Sequence, residues 1–180
     1  FTSLKSNFTA QYAGVTFKID SIYLANVRNN ATVMGEEDTE ADYFRGGPVE
    51  FAVIQGLIDP EANVNASFAK TYETPLVLSS ESGELDATAL GFDKYINANQ
   101  PEYAEEDGYL TRLLITGTLM DGDRELGKKY FHIPLKLVDD TGNVASNKFF
   151  KISATITGEG SPNPDEILEN ACINFSIEVA

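Results

Sequence analysis

Apolar and polar residues alternate one for one along much of this 180-residue chain, and long helical periodicity is almost missing. A period of two is the signature of half-buried β-strands, because successive side chains point to opposite faces. The clearest run is at the end, where Ile173, Phe175, Ile177 and Val179 alternate with Asn174, Ser176 and Glu178. Residues 148–157 repeat the pattern, with Phe150, Ile152, Ala154 and Ile156 opposing Lys151, Ser153, Thr155 and Thr157. In residues 128–138, Phe131, Ile133, Leu135 and Leu137 oppose Tyr130, His132, Pro134 and Lys136. Pro134 cannot donate a ladder hydrogen bond, so this strand is expected at a sheet edge or bulged. Residues 110–119 are apolar on both faces and predict a central, doubly covered strand. In the first half, Val15, Phe17 and Ile19 are followed by Ile22 and Leu24, a slip of one residue at Asp20–Ser21. A β-bulge there would keep both apolar sets on one face. Val49, Phe51 and Val53 predict another strand, and residues 76–78 a short one.

Turn chemistry separates these runs. Asp121-Gly122-Asp123 and Asp139-Asp140-Thr141-Gly142-Asn143 each stand between strands and read as hairpin turns. Residues 158–164 form a loop with two prolines. Longer polar loops are expected at 29–47, 59–74 and 97–108, carrying the acidic runs Glu36-Glu37-Asp38 and Glu105-Glu106-Asp107. Residues 84–96 allow one short helix, which Gly91 weakens. The pattern predicts an all-β fold: an antiparallel β-sandwich of about seven main strands, with long acidic loops and at most one short helix. No repeat or linker divides the chain, so residues 1–180 are read as a single domain.

The chain holds 28 Asp and Glu against 13 Lys and Arg, a net charge of −15. Nucleic acid is therefore not expected as a partner, since phosphate contacts need clustered Lys and Arg. An anionic membrane surface is disfavoured for the same reason. No apolar run is long enough for a transmembrane helix. With 42% hydrophobic residues the charge does not signal disorder. Cys172 is the only cysteine, so no intrachain disulfide or cysteine-based zinc site can form. The chain opens at Phe1 within an apparent strand, and it reads as a piece of a longer precursor.

Catalytic constellations find little support. His132, the only histidine, sits mid-strand rather than on a positioned loop, which disfavours Ser-His-Asp and Cys-His designs. Cys172 reads as an inert thiol near a strand start. Paired carboxylates for glycoside hydrolysis need a set separation across a sugar cleft. Among 28 acids some pair always fits, and Trp, the strongest sugar-stacking side chain, is absent. Residues 121–125 offer acids for calcium but lack EF-hand spacing and are better explained as a hairpin tip. Gly158-Glu159-Gly160 is no phosphate cradle, having neither a lysine nor a strand-to-helix context. Asn-x-Ser/Thr occurs at Asn7, Asn30, Asn65 and Asn174, matches that arise easily by chance; Asn174 lies within a strand, where glycosylation is not expected. The residues thus point to no catalytic site, no metal and no cofactor.

An ordered series of segments adds a function. Leu113-Leu114-Ile115-Thr116-Gly117 precedes Lys129-Tyr130-Phe131-His132-Ile133-Pro134-Leu135. Ala145-Ser146-Asn147-Lys148-Phe149-Phe150-Lys151-Ile152 follows, then Thr155-Ile156-Thr157-Gly158-Glu159-Gly160 with its prolines, then the final alternating strand. This series resembles the C-terminal domain of fimbrillins, the type V pilus subunits of Bacteroidales. Residues 1–24 are similar to the start of that domain. Ser146 stands where the family has Arg, and Phe150 where it has Tyr. The resemblance implies a transthyretin-like sandwich and a structural role in a surface pilus that supports adhesion. It also implies export as a lipoprotein precursor to the outer membrane, with an N-terminal domain ahead of this one. Other pilin subunits would be partners through donor-strand exchange, and a host protein or glycan is a further possible partner. The tail would leave the last strand near Ile177, Val179 and Ala180. The alternative reading is an extracellular carbohydrate-binding β-sandwich module.

Overall fold

The computed structural model describes residues 1–28, 43–47, 56–96, 109–135, 149–166 and 172–179. Within them lie eleven strands: β1 (Ser3–Ser6), β2 (Val15–Ala25), β3 (Val27–Arg28), β4 (Tyr43–Arg45), β5 (Asn63–Val64), β6 (Ala69–Ser79), β7 (Leu85–Asp86), β8 (Arg112–Asp121), β9 (Arg124–Pro134), β10 (Phe150–Ile156) and β11 (Ile173–Val179). One four-residue helix, α1 (Ala87–Leu90), follows β7. Two four-stranded sheets, ordered β11-β10-β1-β7 and β6-β2-β8-β9, carry the seven longest strands, and β3-β4-β5 form a small third sheet. The fold is therefore the expected all-β sandwich.

The two large sheets close over one core. Leu4, Ile152, Ala154 and Ile156 come from one side. Phe17, Ile19, Ile22, Leu24, Leu113, Ile115, Leu119, Phe131 and Ile133 come from the other. Phe17 and Phe131 meet edge to face with ring centroids 5.2 Å apart, a favoured aromatic geometry. The slip in β2 is the expected bulge: pairing to β8 jumps from Ile19↔Gly117 to Ser21↔Thr116, leaving Asp20 unpaired. Phe17, Ile19, Ile22 and Leu24 consequently share one core. The doubly covered reading of residues 110–119 also holds. Leu113, Ile115 and Leu119 enter the main core, while Leu114 packs with Tyr23, Ala25 and Ile58 on the reverse face.

Several expectations need correction. Residues 84–96 do not form one helix. β7 occupies their start, Asp86 caps α1 by accepting from the Ala89 N–H at 2.9 Å, and Gly91 ends it at φ +55°. Residues 29–47 and 59–74 are not wholly loop, because β4, β5 and the first half of β6 fall within them. The strand expected at residues 76–78 extends over all of β6. The pairing is not purely antiparallel, since β1 runs parallel to β10, and β4 to β5. The expected strand around Val49, Phe51 and Val53, both acidic runs, and the turn at 139–143 lie outside the described residues.

Candidate functional site at the open sheet edge

A strand edge is a row of unpaired N–H and C=O groups, and folded proteins blunt such rows. Three of the four edges in the large sheets are blunted by identifiable residues. On β6, four residues, Tyr72 to Pro75, stand opposite Asp20 alone, and Pro75 has no N–H to offer. On β9, Tyr130 exchanges two backbone hydrogen bonds with Ser161, of 2.8 and 3.0 Å, and Pro134 closes the strand. β7 is two residues long and passes straight into α1. The fourth edge, β11, has none of these devices. It pairs with β10 along all seven residues, and no backbone ladder flanks its other side among the described residues.

β11 carries the residues expected at the tail exit. Ile177 pairs with Ile152 and Val179 with Phe150, and both side chains are half-buried. Ala180 lies outside the described residues. The alternation predicted Phe175 on the core face with Ile173 and Ile177, yet Phe175 remains 42% exposed. At the outermost strand the core face has nothing opposite to cover it fully. Glu178, on the outer face, pairs with Lys151 across the strands at 3.6 Å.

The residues weighed for chemistry fall elsewhere and do not converge. His132 lies on β9, 8% exposed. Burial, reinforced by Arg112, lowers its pKa to about 4, against smaller raising effects of the Pro164 backbone and Asp165, so the imidazole is neutral at pH 7. Asp165, 1% exposed, spends its carboxylate on the Gly56 and Ile58 amides at 3.1 and 2.9 Å, which ties the 158–166 loop over the sheet. Lys129 is on the core face of β9 and is paired by Glu159, which also accepts from the Tyr12 hydroxyl at 3.3 Å. The Lys129 hydrogen bond holds the Glu159 carboxyl below its ordinary range. The Gly158-Glu159-Gly160 segment therefore presents a neutralised carboxylate, not an anion cradle. Asp121 pairs with Arg124, and Gly122-Asp123 between them is a two-residue hairpin tip, with Gly122 at φ +58°. Cys172, the chain's one cysteine and so in no intrachain disulfide, is half-buried and faces Gly158. Asn65 caps a short 3-10 turn, its Oδ1 accepting from the Ser67 amide and hydroxyl at 3.0 and 2.7 Å. Among the described residues, no three of His, Cys, Asp and Glu come together, and no helix is long and apolar enough to cross a membrane.

No protein-family model matches the sequence, and no curated protein matches it. Solved structures do match in shape. A fimbrilin of Porphyromonas gingivalis W83 superposes with a TM-score of 0.71 at 19% identity, over 99% of this chain and 56% of that one. A candidate cell adhesion protein of Parabacteroides distasonis matches at 0.55 and 17% identity, over 98% of this chain and 57% of the other. Another from Bacteroides eggerthii matches at 0.56 and 13%, over 99% and 54%. The chain spans little more than half the length of these structures. Over nearly its whole length, this chain has the fold of a fimbrilin-like domain of the Bacteroidales type.

Proposed function

We propose that the chain is a structural domain of a cell-surface pilus subunit, joined to neighbouring subunits by strand exchange and without a catalytic role. The observation that carries this reading is the match to a fimbrilin over 99% of the chain at a TM-score of 0.71. The two candidate adhesion proteins of the same fold agree with it. β11 supplies the physical logic. A donor strand gains affinity from main-chain hydrogen bonds and specificity from alternate side chains entering pockets. A donor segment in this reading would follow Val179 and extend the alternation of Ile173, Phe175, Ile177 and Val179. In this reading the protein is exported as a lipoprotein precursor to the outer membrane, and its partners are other pilin subunits.

The test uses the full-length protein in its host cell. Protease-stable polymers are expected on the surface, and truncation after Val179 should abolish them while leaving the truncated subunit folded. Normal polymers from the truncated protein would remove the donor-tail role. Absence of polymers from the intact protein would remove the pilus reading altogether.

A further inference from the structure

Residues 158–166 form a strap that wraps the outer edge of β9. On the core side Glu159 pairs with Lys129, and a Cβ on Gly160 would come within 2.7 Å of the Phe131 ring. At the edge, Ser161 exchanges its two backbone hydrogen bonds with Tyr130. On the reverse side, Asp165 is fastened to the Gly56 and Ile58 amides. The strap therefore guards ladder groups of β9 that an open edge would expose.

Its reverse-side half covers a poorly satisfied polar pair. Register sets His132 opposite Leu114, and Arg112 stands two residues before Leu114, so both side chains leave the sheet on its reverse face. They are only 8% and 7% exposed. No well-formed hydrogen bond reaches Arg112 Nε or Nη1, or either nitrogen of the imidazole. Buried donors in that state cost free energy, and lifting the strap gives them water.

The groups around His132 oppose a second charge there. Arg112 faces the ring from β8, and Asp165 and the Pro164 backbone face it from the strap. Tyr109 stands beside Asp165, with Asp59 and Glu61 near it. A protonated imidazole has two N–H donors and no acceptor. Asp165 is the carboxylate facing it, but both Asp165 oxygens already accept from the Gly56 and Ile58 amides. Either Asp165 leaves those amides for the ring, or water enters to solvate it. Both routes unfasten the strap from the 56–58 segment.

We propose that the strap is an acid-released guard: a proton on His132 lifts its reverse-side half and frees the backbone groups of Tyr130 at the β9 edge. The device asks nothing of the pilus reading and stands or falls separately from it. The imidazole titrates at about 4 under the closed strap and near 6.5 in water, so the closed state resists the proton. The open strap should therefore gain about a hundredfold in population between pH 7 and pH 4.

The experiment is native-state hydrogen exchange of the 180-residue chain, followed by NMR. Four amides report the strap: Gly56 and Ile58, which donate to Asp165, and Tyr130 and Ser161, which donate to each other's carbonyls. Corrected for intrinsic exchange, their protection should lie below that of the β2–β8 ladder at every pH. It should fall about a hundredfold from pH 7 to pH 4. His132→Gln, neutral throughout, should remove that fall. Asp165→Ala should lower the protection of the same four amides already at pH 7, with the β2–β8 ladder still protected, and so tests the fastening even if the histidine variant does not fold. Equal protection of strap and ladder would mean that only global unfolding exposes the edge, and would overturn the proposal. So would a fall that persists in His132→Gln, or unchanged protection in Asp165→Ala.

Discussion

Asn26 is fully buried and sits at φ +56°, a left-handed conformation that Asn tolerates better than most residues. Its Nδ2 donates to the Leu57 and Leu110 carbonyls, both at 2.8 Å, and its Oδ1 accepts from the Asp59 amide at 3.0 Å. The Thr111 hydroxyl then donates to the Asn26 carbonyl at 2.8 Å. One side chain thus ties the end of β2, the 57–59 segment and the approach to β8. Asn26→Ala strands two carbonyls and an amide out of water, and should cost about 3 kcal/mol, a drop of roughly 10 °C in melting temperature. A drop under about 2 °C would mean that the clamp is not structural. Nothing in the sequence marks Asn26, because a buried clamp and an ordinary turn asparagine look alike until the chain folds around one of them. His132 gives a second residue-scale expectation. Its folded pKa of about 4 lies below the unfolded value near 6.5. The unfolded state therefore takes up the proton first, and stability falls as pH drops from 6.5 to 4, by up to about 3 kcal/mol. Below pH 4 both states are protonated and this contribution changes no further. The check is the difference in unfolding free energy between wild type and His132→Leu across that range, since the carboxylates titrate alike in both. A difference that stays constant with pH would show that the buried imidazole is not the sensor.

At the scale of elements, β2 and β8 are fitted to each other through a side chain that is not there, at Gly117. A Cβ on Gly117 would lie 2.1 Å from the Lys18 carbonyl oxygen, directly beside the bulge at Asp20. The obstacle is backbone, so it cannot rotate away. Gly117→Ala should cost about 3 kcal/mol or more by forcing the two strands apart, read as a shift of the urea midpoint at unchanged slope. An unchanged midpoint would mean that the bulge relaxes freely. The bulge itself was legible, because a one-residue slip between two apolar sets has few other meanings. β9, β10 and β11 were legible for a related reason, because alternation reports directly which side is buried, and β8 because a strand apolar on both faces must be covered on both. β6 was not, since it lies at an edge, only Leu78 in it is buried, and Glu73, Thr74 and Pro75 interrupt the period. β4 and β5 are two or three residues long, below the length at which a period exists. The parallel pairing of β1 with β10 joins Ser3 to Ser153, and strand partners so distant in sequence leave no local trace. Phe175, at the candidate site, was legible only in part. Its phase is that of a core residue, but phase says nothing about whether the facing sheet reaches far enough to cover it.

The 180 residues carry a net charge of −15, and the described ion pairs, Lys5–Glu84, Lys129–Glu159 and Lys151–Glu178, consume several of the few cations. Carboxylates still outnumber cations by 28 to 13 over the chain. Such an excess keeps chains apart and soluble but weakens the compact state by self-repulsion. Unfolding spreads the charges, so the folded state gains more from screening than the unfolded state does. The Debye length falls from about 30 Å at 0.01 M salt to about 8 Å at 0.15 M, less than the span of a domain this size. Sodium chloride should therefore raise the melting temperature at pH 7, by several degrees between these concentrations, with the gain flattening beyond. Two exposed ion pairs, Lys5–Glu84 and Lys151–Glu178, work in the opposite direction, but such pairs are weak in water and do not reverse the trend. The same measurement at pH 4.3, the isoelectric point, removes the net charge and with it the repulsion. There the salt dependence should vanish or change sign. A melting temperature that is flat or falling with salt at pH 7 would show that the carboxylates are spread widely enough not to feel one another. The acidic surface would then act on partners rather than on the stability of the fold.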